Sequence, residues 1–325
     1  MTFKFLVTAT DLGRSGRRLL EAAGCEVDFL TEGSAAETEH LMGEHAYDAV
    51  ISRTVSLTEA ALRACPSLRV ICKHGTGVNN IDTAAASARG IPVLTTRGVN
   101  AQSVAEFTLA LLFSTARQLS FFHREVMDGR WTRSGTGMEL HGKTLGLIGF
   151  GDIGQRAARI AVACGMRVQF FDPAISKGTF SPEIHQSDSV ETLLRTSQVI
   201  SLHCPLTPAT RGLLSADRLA LLPERAIVIN TARGELIDED ALLRALLDGG
   251  IMAAGLDTVT TEPLPPSHPL LHMANVIVTP HIAGTTRESL EAVSRSAVQQ
   301  CLDYLMHGQL SRENCVNATA LHGPQ

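Results

Sequence analysis

Apolar runs and amphipathic stretches alternate along most of the chain. Phe3 to Ala9, Val27 to Leu30, Ala49 to Ser52 and Val70 to Cys72 are short apolar runs that read as strands, with helical patterns near residues 14–23, 35–44 and 58–64 between them. Such alternation predicts a parallel sheet, because parallel neighbours need a long return path that a helix supplies. Residues 92–98 add a strand and a turn. A long helix is then predicted from Asn100 to Gly129, and Glu106 is its only charge between Val104 and Ala116. A helix apolar on nearly every face has to be buried on several sides. It therefore reads as the hinge into a second domain and as a dimer interface, with Ser103 and Glu106 in capping-box spacing at its start.

A second alternating series follows. Leu145 to Phe150 suits a strand buried on both faces. Gly149, Gly151 and Gly154 have G-x-G-x-x-G spacing, and Ile153, Ala157, Ile160, Ala161 and Cys164 recur at helical spacing until Gly165 stops the helix. Val168 to Phe171 is the next strand, and Asp172 ends it 18 residues after Gly154. Gln198 to His203, Ala226 to Asn230, Ile251 to Asp257 and Val276 to Thr279 continue the strands, Asp238 to Leu247 is a helix with acids in its first turn, and a closing helix spans about 287–306. The predicted fold class is α/β with two doubly wound parallel-sheet domains. A Rossmann-like domain, residues 99–285, is inserted into a discontinuous flavodoxin-like domain, residues 1–98 and 286–325.

Composition removes several function classes. The 325 residues are 44% hydrophobic, enough for two cores, and the net charge of −5 comes with no basic run, so neither nucleic acid nor an anionic membrane is an expected partner. The N-terminus lacks a long apolar segment and a small-residue cleavage site, and the longest uncharged stretch, Phe107 to Ala116, is too short to span a bilayer. Seven scattered cysteines without a C-x-x-C pattern read as reduced thiols of a cytoplasmic protein.

The glycine motif carries the first chemistry. In such a unit the first glycine allows the tight turn, the second lets a pyrophosphate approach the backbone, and the third lets helix and strand pack closely. The unpaired N–H groups at the helix start hold the phosphate charge, and an acid at the second strand's tip accepts bonds from ribose hydroxyls and repels a 2′-phosphate. NAD is accordingly expected rather than NADP, with Asp172 as that acid.

Arg233, Glu262 and His281 lie at the carboxyl ends of predicted strands or in loops just beyond them, where residues distant in sequence converge on one sheet edge. Dehydrogenation of a 2-hydroxy acid needs such a set. His281 suits the base, Glu262 would fix its tautomer, and the planar fork of Arg233 suits a carboxylate and its neighbouring keto oxygen. In the first domain the turn of His74, Gly75, Thr76 and Gly77 follows a strand and offers N–H groups to an anion, and Arg53 falls on the same rim. Arg53, Lys73 and His74 motivate a substrate with a second anionic group. His268 and His272 have i, i+4 spacing, but Pro269 intervenes and no H-E-x-x-H pattern exists, so no metal site is expected.

The stretches GFGDIG, HCPLTPAT, INTARGELIDED, GLDTVTTEP and VTPHIAG, in that order, resemble the D-isomer-specific 2-hydroxyacid dehydrogenase family. KHGTGVNNID and NAQSVAEFTLALL extend the likeness to its phosphoglycerate dehydrogenase branch. The resemblance implies that Arg233, Glu262 and His281 are catalytic and that the Gly75 to Val78 turn binds the substrate carboxylate. It implies cofactor contacts at Gly149, Gly151, Asp152, Ile153, Gly154, Asp172, His203, Cys204, Pro205, Thr210, Thr231, Ala232, Arg233, Asp257, His281 and Gly284, with Asp257 on the nicotinamide carboxamide. It also implies a homodimer joined through the helix that starts near Asn100. The chain departs from the pattern at Val259, where an aromatic residue is usual, and at Asn79, where aspartate is common; a C-terminal regulatory domain after the closing helix is not expected. Three alternatives stand beside the dehydrogenase reading: a hydroxypyruvate or glyoxylate reductase, a non-enzymatic NAD-sensing interaction protein on the same fold, and formate dehydrogenase. The last is disfavoured, because its substrate has no hydroxyl proton and its enzymes carry glutamine where Glu262 stands.

Overall fold

Period-two alternation along each strand decides the layers. The computed structural model describes residues 2–321 apart from Lys177 and Thr179. It separates into two compact units, one of Met1–Asn100 with Thr285–Gln325, the other Ala101–Gly284.

The first unit begins with β1 (Lys4–Val7), α1 (Arg14–Ala22), β2 (Glu26–Phe29), α2 (Ala35–Glu44), β3 (Ala49–Ser52), α3 (Glu59–Ala64), β4 (Val70–Lys73), α4 (Thr83–Ala88) and β5 (Val93–Leu94). Its parallel sheet has the order β2-β1-β3-β4-β5, the flavodoxin-like arrangement. Phe5, Val7, Ile51 and Cys72 face one core, whereas Leu6, Val50 and Ile71 face the other, which is filled by Met42, Leu62 and Ala86 from α2, α3 and α4.

The second unit opens on α5 (Ala101–Ala116) and α6 (Leu119–Met127), followed by β6 (Thr144–Ile148), α7 (Asp152–Ala163), β7 (Arg167–Phe171), β8 (Ile184–Gln186), α8 (Val190–Thr196), β9 (Val199–Leu202), α9 (Ala216–Leu219), β10 (Ala226–Asn230), α10 (Glu239–Leu247), β11 (Ile251–Leu256) and β12 (Val276–Val278). Strand order is β12-β11-β10-β9-β6-β7-β8, all pairs parallel, with the reversal of direction beside β6 that defines a Rossmann sheet. Leu147, Phe170, Ile227 and Ile229 pack with α5 and α7 on one face; Ile200, Val228 and Leu256 pack with α8 and α10 on the other. The chain then returns to the first unit as α11 (Arg287–His307), whose Ala297, Val298 and Cys301 complete the core of Phe5, Val7 and Cys72. Helix α1 lies close on α11: the Gly13 N–H donates to Ser294 Oγ at 3.0 Å, and a Cβ at Gly16 would meet the Ser294 carbonyl.

The fold class read from the sequence holds, and two local readings change. The helix expected over 100–129 is two helices, because Gln118 takes a left-handed conformation (φ 55°) and the Ala116 carbonyl bonds to the returning Met138 N–H at 2.8 Å. Helix α5 begins at Ala101, so Ser103 lies inside its first turn and not at its N-cap, and Glu106 accepts from Gln102 Nε2 at 2.7 Å. On α5, Leu109, Leu111 and Leu112 are buried in the core of their own unit, whereas Phe113 is exposed. Among the described residues no helix is long and apolar enough to cross a membrane.

Candidate active site

The turn from β6 into α7 shows why its three glycines differ. A Cβ at Gly149 would stand 2.6 Å from the backbone of His203 and Cys204, and one at Gly154 would stand 2.5 Å from the Gly149 carbonyl. Gly149 also has φ 96°, which L side chains rarely adopt. These two glycines are required by packing. At Gly151 a Cβ would meet nothing within 4 Å, so the space over this residue is open. Gly151 is the N-cap of α7 and supplies no side-chain cap, which leaves the first N–H groups of a 12-residue helix aimed at that space. Asp172 closes the loop from the next strand: Oδ2 accepts the Phe150 N–H at 2.8 Å and Oδ1 the Ala174 N–H at 2.9 Å.

Three side chains gather around the ends of β10, β11 and β12. His281 Nδ1 lies 3.0 Å from Glu262 Oε2, and Val259 N–H donates to Glu262 Oε1 at 3.3 Å. Glu262 is acceptor-only when ionised, so the ring proton sits on Nδ1 and the lone pair of neutral His281 is on Nε2. Burial works to raise the Glu262 carboxyl, but the bond from His281, the Val259 N–H and the nearby Arg233 charge outweigh it and hold it below the ordinary carboxylate range. Arg233 precedes a short 3-10 turn at Gly234–Leu236, is lowered by burial, and feels the charges of Glu262 and Glu235 in the opposite sense. Gly234 permits this arrangement, because a Cβ there would stand 2.0 Å from the Val259 carbonyl carbon.

His281 itself has φ 55°, an uncommon conformation for a histidine that costs on the order of 1–3 kcal/mol. Asp257 holds it there. The Asp257 carbonyl accepts the His281 N–H at 2.8 Å, Oδ1 accepts from Thr279 Oγ1 at 2.6 Å and from the Ile282 N–H at 2.9 Å, and Oδ2 accepts the Ala283 N–H at 2.8 Å. The carboxylate of Asp257, 1% exposed, is thus the internal scaffold of the turn that carries His281 and runs to Gly284.

The remaining cofactor residues of the sequence reading line loops at the same sheet edge. His203 Nε2 is within 2.9 Å of Ser201 Oγ, and burial depresses the imidazole to about 4, so it is neutral. Cys204 is pushed up to about 11 by burial, which makes it a thiol and not a nucleophile. Thr210 Oγ1 donates to the Pro205 carbonyl at 2.7 Å, closing that loop on itself, and Thr231 pairs with Thr108 at 2.9 Å. Asp152 and Ile153 are the first two residues of α7, and Ala232 donates its N–H to Asn230 Oδ1 at 3.0 Å.

In the first unit, β3 and β4 are neighbours with Ser52 opposite Lys73, which brings Arg53 and His74 to one sheet edge. His74 is half-buried and has a partner within its own unit. Its Nε2 is 2.9 Å from Ser294 Oγ, which also accepts the Gly13 N–H; burial with the Arg53 and Lys73 charges depresses His74 to about 4. The Gly75 N–H is committed to Thr96 Oγ1 at 3.0 Å, whereas those of Thr76 and Gly77 make no hydrogen bond among the described residues. Lys73 Nζ bonds the Arg53 carbonyl and, at 2.5 Å, Asn80 Oδ1.

The model of the NAD-binding domain of D-isomer-specific 2-hydroxyacid dehydrogenases matches residues 109–283. The chain is 38% identical over 319 residues to D-3-phosphoglycerate dehydrogenase of Methanocaldococcus jannaschii, covering 97% of this chain and 59% of that one. It is 38% identical over 254 residues to hydroxypyruvate reductase of Thermotoga maritima, covering 77% and 82%. Among solved structures, the TT0316 protein from Thermus thermophilus superposes with a TM-score of 0.86 at 35% identity over 97% of this chain and 100% of that one. The chain belongs to the D-isomer-specific 2-hydroxyacid dehydrogenase family.

NAD fits the residues that this dehydrogenase-family chain presents: the open face of Gly151, the uncapped N-terminus of α7 and the Asp172 carboxylate. Several residues that build the site escaped the sequence reading. Asn230, fully buried, donates from Nδ2 to the Arg233 carbonyl at 2.8 Å and accepts from Ala232, so it shapes the turn that aims the arginine. Thr279 and Gly234 have comparable parts. A polar residue ending an apolar strand was the available signal for Asn230, and none existed for Gly234 beyond its being glycine.

Proposed function

We propose that this protein is an NAD-dependent oxidoreductase that moves a hydride between the nicotinamide and C2 of a small D-2-hydroxy acid, interconverting it with the 2-keto acid. The 3.0 Å contact of His281 Nδ1 with Glu262 Oε2, beside Arg233, carries the reading. In oxidation His281 Nε2 takes the hydroxyl proton while the C2–H bond breaks. In reduction the imidazolium returns that proton to the keto oxygen. Glu262 keeps Nδ1 protonated and stabilises the imidazolium, and Arg233 holds the substrate carboxylate and polarises the carbonyl. When bound, NAD supplies the hydride acceptor or donor.

For substrate class we take a keto acid with a second anionic group, 3-phosphoglycerate-like, as two relatives named D-3-phosphoglycerate dehydrogenase would have it. The support lies in Arg53. The His74 ring is neutral and held by Ser294, whereas the Arg53 guanidinium makes no ion pair or hydrogen bond among the described residues. The alternative, hydroxypyruvate or glyoxylate, has relatives of its own. The free state of all seven cysteines fits a cytoplasmic location.

The test mixes purified protein and NADH with hydroxypyruvate, glyoxylate, phosphohydroxypyruvate and sulfopyruvate, read as kcat/KM. At least one should be reduced, and NADH binding without any turnover would leave only a nucleotide-sensing protein. His281→Ala should lower kcat by about 10²–10⁴-fold with NADH affinity nearly unchanged. Arg53→Ala should raise KM for the doubly anionic substrate more than for glyoxylate; an equal effect removes the second anion.

A further inference from the structure

Glu262 is presented by a loop that has little apolar anchorage. From Thr260 to Ser267 only the side chain of Leu264 packs on the core, and Glu262 itself is exposed. The catalytic contact of 3.0 Å therefore depends on polar attachments: the Val259 N–H reaches Glu262 Oε1 at 3.3 Å, His272 Nε2 is 3.0 Å from the Pro266 carbonyl, and both ends of the loop are held by one carboxylate outside the reacting set. Glu239 Oε2 accepts the Thr260 N–H at 3.1 Å, and Glu239 Oε1 lies 3.3 Å from His268 Nε2. His268 Nδ1 accepts the Leu270 N–H, which places the ring proton on Nε2, facing Glu239. One side chain thus ties the start of the loop to its end. Its own footing is rigid. Glu239 is the first residue of α10, whose N-cap Asp238 accepts the Ala241 N–H at 3.0 Å and donates its own N–H to the Leu214 carbonyl. Between the two ties, Pro263, Pro265 and Pro266 restrict φ, so the segment has few ways to bend once its ends are pinned.

We propose that Glu239 is a positioning residue of the reaction described above: it clamps the 260–268 loop at both ends and so keeps Glu262 in register with His281. The proposal rests on the dehydrogenase reading of that site, and it assigns His268 the part of the clamp's second jaw. The Glu239 side chain bonds to Thr260 and His268, the two ends of the loop, so its effect has to pass through Glu262.

A double-mutant cycle tests this on the full chain, using whichever keto acid the wild type reduces. Glu239→Ala should lower kcat about tenfold, with KM and NADH affinity within twofold. In a Glu262→Ala background the same substitution should cost less than twofold. Glu239→Gln, which keeps an acceptor for the Thr260 N–H, should recover part of the loss. His268→Ala opens one jaw and should cost about threefold, again only when Glu262 is present; it carries the cycle if Glu239→Ala fails to fold. A tenfold loss that persists in the Glu262→Ala background overturns the proposal and leaves the dehydrogenase reading intact, whereas a wild type that turns over no keto acid ends the latter. The Nδ1 proton of His281, followed by NMR, gives a readout free of turnover. It should exchange faster in Glu239→Ala, and an unchanged signal also overturns the clamp.

Discussion

Glycine spacing identifies a dinucleotide turn but does not say which glycine serves the fold and which the ligand. Gly154 meets the Gly149 carbonyl, so Gly154→Ala should destabilise the second unit by about 1–3 kcal/mol, seen as a lowered urea midpoint. Gly151 has φ −75° and open space around it, so Gly151→Ala should leave the midpoint unchanged while weakening NADH binding at least tenfold, measured by fluorescence titration. Arg233, Glu262 and His281 were singled out as polar residues at the ends of apolar runs or in the loops just beyond them. Their geometry was not legible. The left-handed backbone of His281, the Asp257 scaffold beneath it and the approach of Val259 to Gly234 are contacts between segments more than 20 residues apart, and no local pattern encodes them.

Elements were read well where an apolar run was bounded by polar or glycine punctuation, as at Ala49–Ser52, Ala226–Asn230 and Arg287–His307. Strand β8 went unread because Ile184–Gln186 is short, polar and on the sheet edge, where only one neighbour needs satisfying. The 100–129 helix was read too long for the opposite reason: its apolar content masked the break at Gln118. For the proposed homodimer, α6 is the more exposed of the two helices: it has no buried residue, and Leu119, Val126 and Met127, with Trp131 just beyond it, are each more than half exposed. We propose these exposed apolar side chains as the surface of association. A homodimer joined there should dissociate on Met127→Glu with Trp131→Glu. Sedimentation velocity would register monomers, and an unchanged sedimentation coefficient would place the interface elsewhere.

At the scale of the molecule, two parallel sheets with crossover helices were legible from the alternation of strand and helix, whereas the place of each strand in its sheet is set by packing between distant segments. The pH dependence of stability was not legible, since it depends on which histidines are enclosed. His74 in the first unit and His203 in the second are each depressed from 6.5 to about 4 by burial. As pH falls from 6.5 towards 4, the unfolded chain binds protons that the folded chain refuses, so stability must decline across that window, by up to about 1.4 kcal/mol per histidine per pH unit. Urea unfolding at pH 7 and pH 5, above the range where ordinary carboxylates titrate, should show the loss, and His203→Asn should remove part of it.

The return of α11 to the first sheet has a consequence for the order in which the protein is made. A ribosome releases β1 to β5 first, yet their core lacks Ala297, Val298 and Cys301 until the chain beyond Gly284 emerges. The second unit is complete by then and is free to fold while the earlier segment waits with one face of its sheet uncovered. Translation at about 5–20 residues per second makes that interval on the order of ten seconds or more, and any chaperone demand of this protein falls within it.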